Sequence, residues 1–338
     1  MTKINKNSEL IIEYLTQYPK MQKKTLAKII YEQNKKLIDK STTEKDPVEY
    51  IRKRIMAMTG NAGKEKRQYN SVYKKFYDYG VPDYENDYEQ ITPFRIEVPA
   101  YKRLLVAGDF HLYYSKRELL EGMLTWALEH GVDSVLLNGD IMDCYDISFF
   151  ARTQDSKGFQ YELDETKRII ELIQKTLDCK IFYKEGNHEE RLPVIFARKI
   201  PELIKVYGMQ LENLLELQNF NCDYIKDRRL VRFSGLNILH GHEFGGGVAV
   251  PVNPARTALL KVNDNVMVSH YHKSSQDSYS DIDGNIKGAW SVGCLCDLRP
   301  HYRPYGNKWN AGFAFVKAEN QKVFRVTNLQ MSETGEVY

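Results

Sequence analysis

Six of the eight histidines fall in four short clusters, Asp109-Phe110-His111, Asn187-His188, His240-Gly241-His242 and His270-Tyr271-His272. A carboxylate pair, Gly139-Asp140-Ile141-Met142-Asp143, stands between the first and second. Imidazole, carboxylate and carboxamide are hard or borderline donors, and no Cys stands among them. That donor set argues against a structural zinc knot and for a hydrolytic Mn, Fe, Zn or related ion. Seven good ligands are too many for one tetrahedral ion, since a catalytic zinc takes three protein ligands and keeps a position open for water. Two ions sharing a carboxylate fit better, about 3.5 to 4 Å apart as is usual in dinuclear hydrolases.

The clusters need a scaffold, and the residues before each supply one. Leu104-Leu105-Val106-Ala107, Val135-Leu136-Leu137, Ile181-Phe182-Tyr183, Ile238-Leu239 and Val266-Met267-Val268 are short apolar runs that read as buried strands. The polar residues therefore fall at strand carboxyl ends, where open α/β sheets place their sites. Glu118 to Glu129 and Glu162 to Leu177 carry apolar residues at helical spacing, giving the βαβ alternation of a layered α/β fold. Beyond His272, residues 274–280, 287–292, 312–317 and 322–327 alternate and predict antiparallel strands, while Gly245-Gly246-Gly247 predicts a mobile loop near the clusters.

A lone Asn-His or His-x-His is usually packing or plain surface. Several in company, each at a strand end, reverse that weighting. His130 closes a helical pattern just before Gly131 and reads as structural. His301 lies in Arg299-Pro300-His301-Tyr302-Arg303, a loop that either touches substrate phosphate or is plain surface.

The ordered motifs Gly108-Asp109-Phe110-His111, Gly139-Asp140-Ile141-Met142-Asp143, Gly186-Asn187-His188-Glu189, His240-Gly241-His242 and Ser269-His270-Tyr271-His272 resemble the calcineurin-like metallophosphoesterase superfamily. The resemblance implies two packed mixed β-sheets flanked by helices, an α/β fold. It also implies that Asp109, His111 and His272 hold one metal, that Asn187, His240 and His270 hold a second, and that Asp140 bridges them. Either imidazole of His240-Gly241-His242 could ligate, and the family pattern favours His240. The two divalent ions would be Mn first, with Fe, Zn, Ni or Mg also compatible, and no organic cofactor is implied. A hydroxide between the ions would attack phosphorus in line. His188 matches the family's catalytic histidine outside the ligand set, oriented by Glu189 or Asp143. One departure is Ser269, which stands where the family pattern has Gly.

Net charge is +3, yet residues 1–75 hold 18 Lys and Arg against 8 Asp and Glu, a net of +10 that leaves −7 for the rest. That basic segment reads as three helices. The first has Ser8 as cap and presents Leu10, Ile11, Ile12 and Leu15; the second carries Leu26, Ile29 and Ile30. The third has Asp46 as cap, Pro47 first, Glu49 three beyond the cap, and Val48, Ile51, Ile55 and Met58 on one face. Its outer face bears Arg52, Lys53 and Arg54, followed by a basic loop with Lys64, Lys66 and Arg67, and these six are the expected nucleic-acid contacts. The organisation that follows is a helix-turn-helix-like domain over 1–67, a Tyr-rich linker over 68–98 and a catalytic domain over 99–338. A small helical domain whose charges are a solvated face, or a protein-docking module, fits the same pattern.

The function expected is a phosphodiester nuclease acting on DNA, since the superfamily includes double-strand-break repair nucleases. The alternative is a phosphomonoesterase with a docking module at its N-terminus. Trp309-Asn310-Ala311-Gly312-Phe313, with Cys294-Leu295-Cys296 before it, resembles the tails of phage-encoded phosphoesterases. A binding protein with a vestigial site would lack a ligand or the catalytic histidine, and none is missing. No apolar run reaches the ~20 residues of a membrane span, and five scattered Cys suit a reducing compartment, so the cytoplasm, or a host cytoplasm, is expected, with a homo-oligomeric or replication and repair partner open.

Overall fold

Three amphipathic helices, α1 (Lys6–Gln17), α2 (Lys23–Ile38) and α3 (Pro47–Met58), close one small core. Ile11, Leu15, Leu26, Ala27, Ile30, Ile51, Ile55 and Met58 are buried there, recurring at the three-to-four-residue period that puts side chains on one helix face. Asp46 caps α3, its Oδ1 accepting from the amides of Val48 at 3.0 Å and Glu49 at 3.1 Å. Ser8 is not a cap: α1 begins at Lys6, and the Ser8 hydroxyl is buried and accepts from Arg54 at 2.7 Å. The computed structural model describes residues 6–39, 45–59, 91–149, 157–245 and 251–338. Lys64, Lys66, Arg67, the tyrosines from Tyr69 to Tyr88, Gly246 and Gly247 lie outside the described residues.

The chain divides into two compact units, Met1–Glu89 and Gln90–Tyr338. The second holds two six-stranded mixed sheets. One contains β1 (Phe94–Ile96), β6 (Val231–Phe233), β7 (Leu236–Leu239), β8 (Val266–Val268), β10 (Ile286–Ser291) and β9 (Ser275–Ser280), in the order β1-β6-β7-β8-β10-β9. The other contains β12 (Phe324–Met331), β11 (Ala311–Ala318), β2 (Arg103–Ala107), β3 (Ser134–Asn138), β4 (Lys180–Lys184) and β5 (Cys222–Ile225), in that order. Strands β2 to β5 run parallel, joined through α4 (Arg117–Glu129) and α5 (Phe159–Leu177). Strand β1 falls inside the segment read as linker, and it pairs with β6 in parallel. The last four strands are present within a few residues of their expected bounds. Not all their pairings are antiparallel: β10 pairs antiparallel with β9 but parallel with β8.

Period-two alternation explains why β2, β3 and β4 read as continuous apolar runs. Leu104, Val106, Leu136 and Phe182 face the other sheet, against Val231, Phe233, Leu236, Ile238 and Met267. Their neighbours Leu105, Val135, Leu137, Ile181 and Tyr183 face the opposite way, under Leu119, Met123, Ile169, Ile170 and Ile173 of the helices. Both faces are covered, so both sets must be apolar. A further helix, α7 (Pro254–Val262), lies on the outer face of the first sheet through Ala255, Ala258 and Leu259, which pack on Val266, Val268 and Ala289; α6 (Arg191–Lys199) follows the Gly-Asn-His-Glu loop.

Candidate metal centre

Parallel strands end together, so the loops after β2, β3, β4, β7 and β8 bring their polar residues to one place. The backbone there is unusual. Asp109, His111, Asp140, His270 and His272 all adopt positive φ, between 41° and 68°. Left-handed conformations at residues with a Cβ cost about 1 kcal/mol or more each and gather where function fixes geometry. Gly139 and Gly186 allow the loops to approach: a Cβ at Gly139 would stand 2.5 Å from His240 Nδ1, and one at Gly186 would stand 2.3 Å from Asp140 Oδ1. Ser269, the residue out of pattern, accepts from Asn138 Nδ2 at 2.9 Å, and the same amide group donates to the Leu239 carbonyl, tying the ends of β3 and β7 together.

Asp109, His111 and His272 form one buried group, and Asp140, His240 and His270 form another. In the first, His111 Nδ1 donates to Asp143 Oδ1 at 2.9 Å, which leaves its Nε2 as a lone pair 3.1 Å from His272 Nε2. Asp109 Oδ1 lies 3.3 Å from the same His272 nitrogen and has no hydrogen-bond partner, although it is buried. In the second, His240 Nδ1 donates to the Asn138 carbonyl at 2.7 Å, so its Nε2 faces Asp140 Oδ2 at 3.2 Å and Asn187 Oδ1 at 3.3 Å. His270 Nδ1 is buried without a partner. Converging buried acceptors are costly unless a cation or a proton is shared, so the residues fit two metal ions. Asp140 Oδ2 faces both groups, standing 3.9 Å from His111 Nε2 as well as 3.2 Å from His240.

A family model described as calcineurin-like phosphoesterase matches residues 102–289. The chain belongs to this family. It is thereby a metal-dependent phosphoester hydrolase. Solved structures that match the chain include a single mutant of Vps29 from Entamoeba histolytica, 14% identical, covering 70% of this chain and 96% of that one with a TM-score of 0.37. Vacuolar Protein Sorting 29 from Cryptosporidium parvum is 12% identical, with coverages of 70% and 95% and a TM-score of 0.38. A dimetal phosphatase from Danio rerio is 12% identical, with coverages of 68% and 99% and a TM-score of 0.33. A search of curated proteins found no match.

The loop packing turns His240 Nε2 toward Asp140 and Asn187, whereas His242 Nε2 bonds Glu190 Oε1 at 2.8 Å. It also separates the two acids that sequence left as alternatives. Asp143 Oδ1 lies 3.2 Å from His188 Nδ1, and the Asp143 carbonyl accepts from the same nitrogen at 2.8 Å. The Glu189 carboxylate is occupied elsewhere; it accepts from the amides of Asp140, Ile141, Met142 and Gly186 and from the Tyr183 hydroxyl, at 2.8 to 3.0 Å. His130 stacks on Trp126 with ring centroids 3.7 Å apart, a structural role.

Two features had no signal in the motifs. Cys296 Sγ is 3.8 Å from His272 Nδ1, and Cys294 completes a buried group with them. The spacing Cys294-Leu295-Cys296 was the only hint. Lys184, fully buried at the end of β4, sits 2.8 Å from Glu243 Oε1, and Glu243 accepts from the amides of His240 and Gly241. That buried pair fixes the His-Gly-His loop from behind. Among the expected nucleic-acid contacts, Arg52 is taken by Glu49 at 2.6 and 2.7 Å and Arg54 by Ser8, with Lys53 between them on α3. Glu49 therefore pairs with Arg52 instead of closing a capping box.

Burial opposes the charged form of His240 and of His272, but Asp140 beside the first and Asp109 beside the second raise both to about 10. Burial and the neighbouring His240 charge lower His270 to about 4. The raised groups hold protons where a cation would sit. Metal loading near pH 7.5 is therefore expected to release about two protons. Calorimetric titration with Mn²⁺ in buffers of different ionisation enthalpy measures this number, and a heat independent of buffer would refute it.

Proposed function

We propose that the chain is a dinuclear metal-dependent phosphodiesterase whose substrate is nucleic acid. The seven ligands would be Asp109, His111 and His272 for one ion, Asn187, His240 and His270 for the other, and Asp140 between them. Two divalent ions there would supply positive charge to the phosphoryl oxygens and lower the pKa of bound water. The observation that carries the choice of nucleic acid is the uneven charge, +10 over residues 1–75 against −7 elsewhere. On α2, Lys24 and Lys28 are exposed one helical turn apart, and Lys35 is exposed just past Asn34, whose φ of −127° and ψ of 24° kink the helix. This stripe is a better phosphate contact than Arg52 and Arg54, which are committed within their own unit. Changing the three lysines to Glu in the full chain should weaken duplex binding and flatten its salt dependence by about 2 to 3 in log–log slope; an unaltered slope in a filter-binding or anisotropy titration would remove the stripe from the interface.

His188 is the residue placed to move a proton. Its Nδ1–H is used by Asp143, so Nε2 is the nitrogen that would exchange a proton with the leaving oxygen, in place of the Arg191 N–H it accepts. Arg191 Nη2 lies 3.1 Å from that Nε2, and Nη1 donates to the Asp143 carbonyl at 2.7 Å. Burial disfavours the imidazolium, but Asp140 and Asp143 outweigh this and raise the His188 pKa. His188→Ala should keep its metal and lose about 10² to 10⁴ in kcat, the usual worth of a general acid. Loss of metal in proportion to activity would reassign His188 as a ligand.

The substrate test is direct. The purified chain with Mn²⁺ is given end-labelled single- and double-stranded DNA, bis(p-nitrophenyl) phosphate and p-nitrophenyl phosphate, with Asp140→Asn as blank. DNA cleavage absent from the blank is the expected result. Turnover of the monoester alone favours the second reading, a phosphomonoesterase with a docking module, which gains from the internal pairing of Arg52 and Arg54.

A further inference from the structure

Two cavities adjoin at Tyr271 and Pro251. The inner, of about 370 Å³, is lined by the candidate ligands Asn187 and His270, together with Arg228 and Lys261. The outer, of about 330 Å³, contains none of the ligands. Its charged lining is Lys273, Arg303 and Lys308, with no carboxylate, and none of the three is in an ion pair among the described residues. Lys273 Nζ donates to the Val252 carbonyl and keeps two of its three N–H groups for another acceptor.

Three cations with no carboxylate among them in one concavity favour an anion from outside the chain. Two aromatic residues, Tyr271 and Trp309, share the rest of the wall with Pro251, Val252, Gly306 and Asn307. Trp309 stands with its ring centroid 4.3 Å from that of His272, so the same indole touches a candidate metal ligand and lines the outer cavity. The Arg303 guanidinium lies 5.9 Å from the Trp309 ring centroid, offering a planar cation beside a planar indole. Cations interleaved with aromatic faces suit a phosphate that carries a base, because every base has a face to stack and a charge beside it. The volume falls within the range of small-ligand sites.

We propose that the outer cavity is a nucleotide subsite, taking the base and phosphate of the nucleotide next to the bond that is cut. It rests on the nucleic-acid reading above and extends it to residues outside the metal centre. Arg303 and Lys308 are the specificity-determining pair, and Trp309 is the stacking surface. A small phosphoester fills the metal cleft and leaves this subsite empty, so the pair should matter most for a substrate with a second phosphate.

The test uses the full chain with Mn²⁺, comparing an end-labelled decathymidylate with bis(p-nitrophenyl) phosphate. Both side chains are exposed, so Arg303→Ala/Lys308→Ala should fold, and Lys308→Glu provides a second, single-site probe. The ratio of kcat/KM for oligonucleotide over small diester should fall about tenfold or more in the double variant, chiefly through KM. The dependence of log KM on log salt should flatten by roughly 1 to 1.5. An unchanged ratio in both variants overturns the subsite while leaving oligonucleotide cleavage by the wild type in place. No oligonucleotide cleavage by a wild type that hydrolyses the small diester overturns the nucleic-acid reading and the subsite with it.

Discussion

Asp140→Asn is expected to lower turnover by roughly 10³-fold or more and to leave the chain with less than its full metal content. Among the described residues, the carboxylate is the one acid whose second oxygen faces both ligand groups, at 3.2 Å from His240 Nε2 and 3.9 Å from His111 Nε2. Its other oxygen accepts from the His188 amide at 2.9 Å. An amide keeps that hydrogen bond and the shape of the loop, but removes the charge that two cations would share. Elemental analysis of dialysed protein, beside kcat on a diester, reads both consequences. Wild-type activity with full metal content would remove Asp140 from the bridging position.

Glu189→Ala is expected to cost stability as well as activity. The buried carboxylate collects five donors, four backbone amides from two different loops and the Tyr183 hydroxyl from β4. A buried donor left without an acceptor costs about 1 to 3 kcal/mol, and relaxation cannot repair all five. The expected destabilisation is about 4 kcal/mol or more, or on the order of 10 °C in Tm for a unit of this size. The same loops carry Asp140 and Asn187, so metal affinity should fall with stability. Glu189→Gln should fall between, because an amide retains one acceptor oxygen and turns a donor toward other donors. A melting curve within 2 °C of wild type for Glu189→Ala, about the scatter expected of a neutral surface change, would contradict this role.

The candidate ligand residues could be picked out because each follows an apolar run, and parallel strands must end on the same edge. The helices over 117–129 and 159–177 were legible from their 3.6-residue period. What sequence did not show is what depends on partners far along the chain. Asp143 and Glu189 were equal candidates to orient His188, and only the loop packing assigns Asp143 to the imidazole and Glu189 to the amides. Cys296 lies 24 positions from His272, and Lys184 lies 59 positions from Glu243; no local period links such residues. Ser8 looked like a cap because it precedes an apolar run, but the helix extends two residues further and spends that hydroxyl on Arg54. Strand β1 has three residues and was hidden in a Tyr-rich segment, since its pairing with β6 joins positions 137 apart.

The central claim is that two metal ions held by these seven residues cleave a phosphodiester. It is tested most directly by stripping the full chain with chelator, adding Mn²⁺ in measured increments, and following diester hydrolysis and bound metal in the same samples. The account predicts no turnover in the stripped protein and activity that rises to a plateau at two ions per chain. Turnover that survives chelation, or that is complete at one ion per chain, would contradict it.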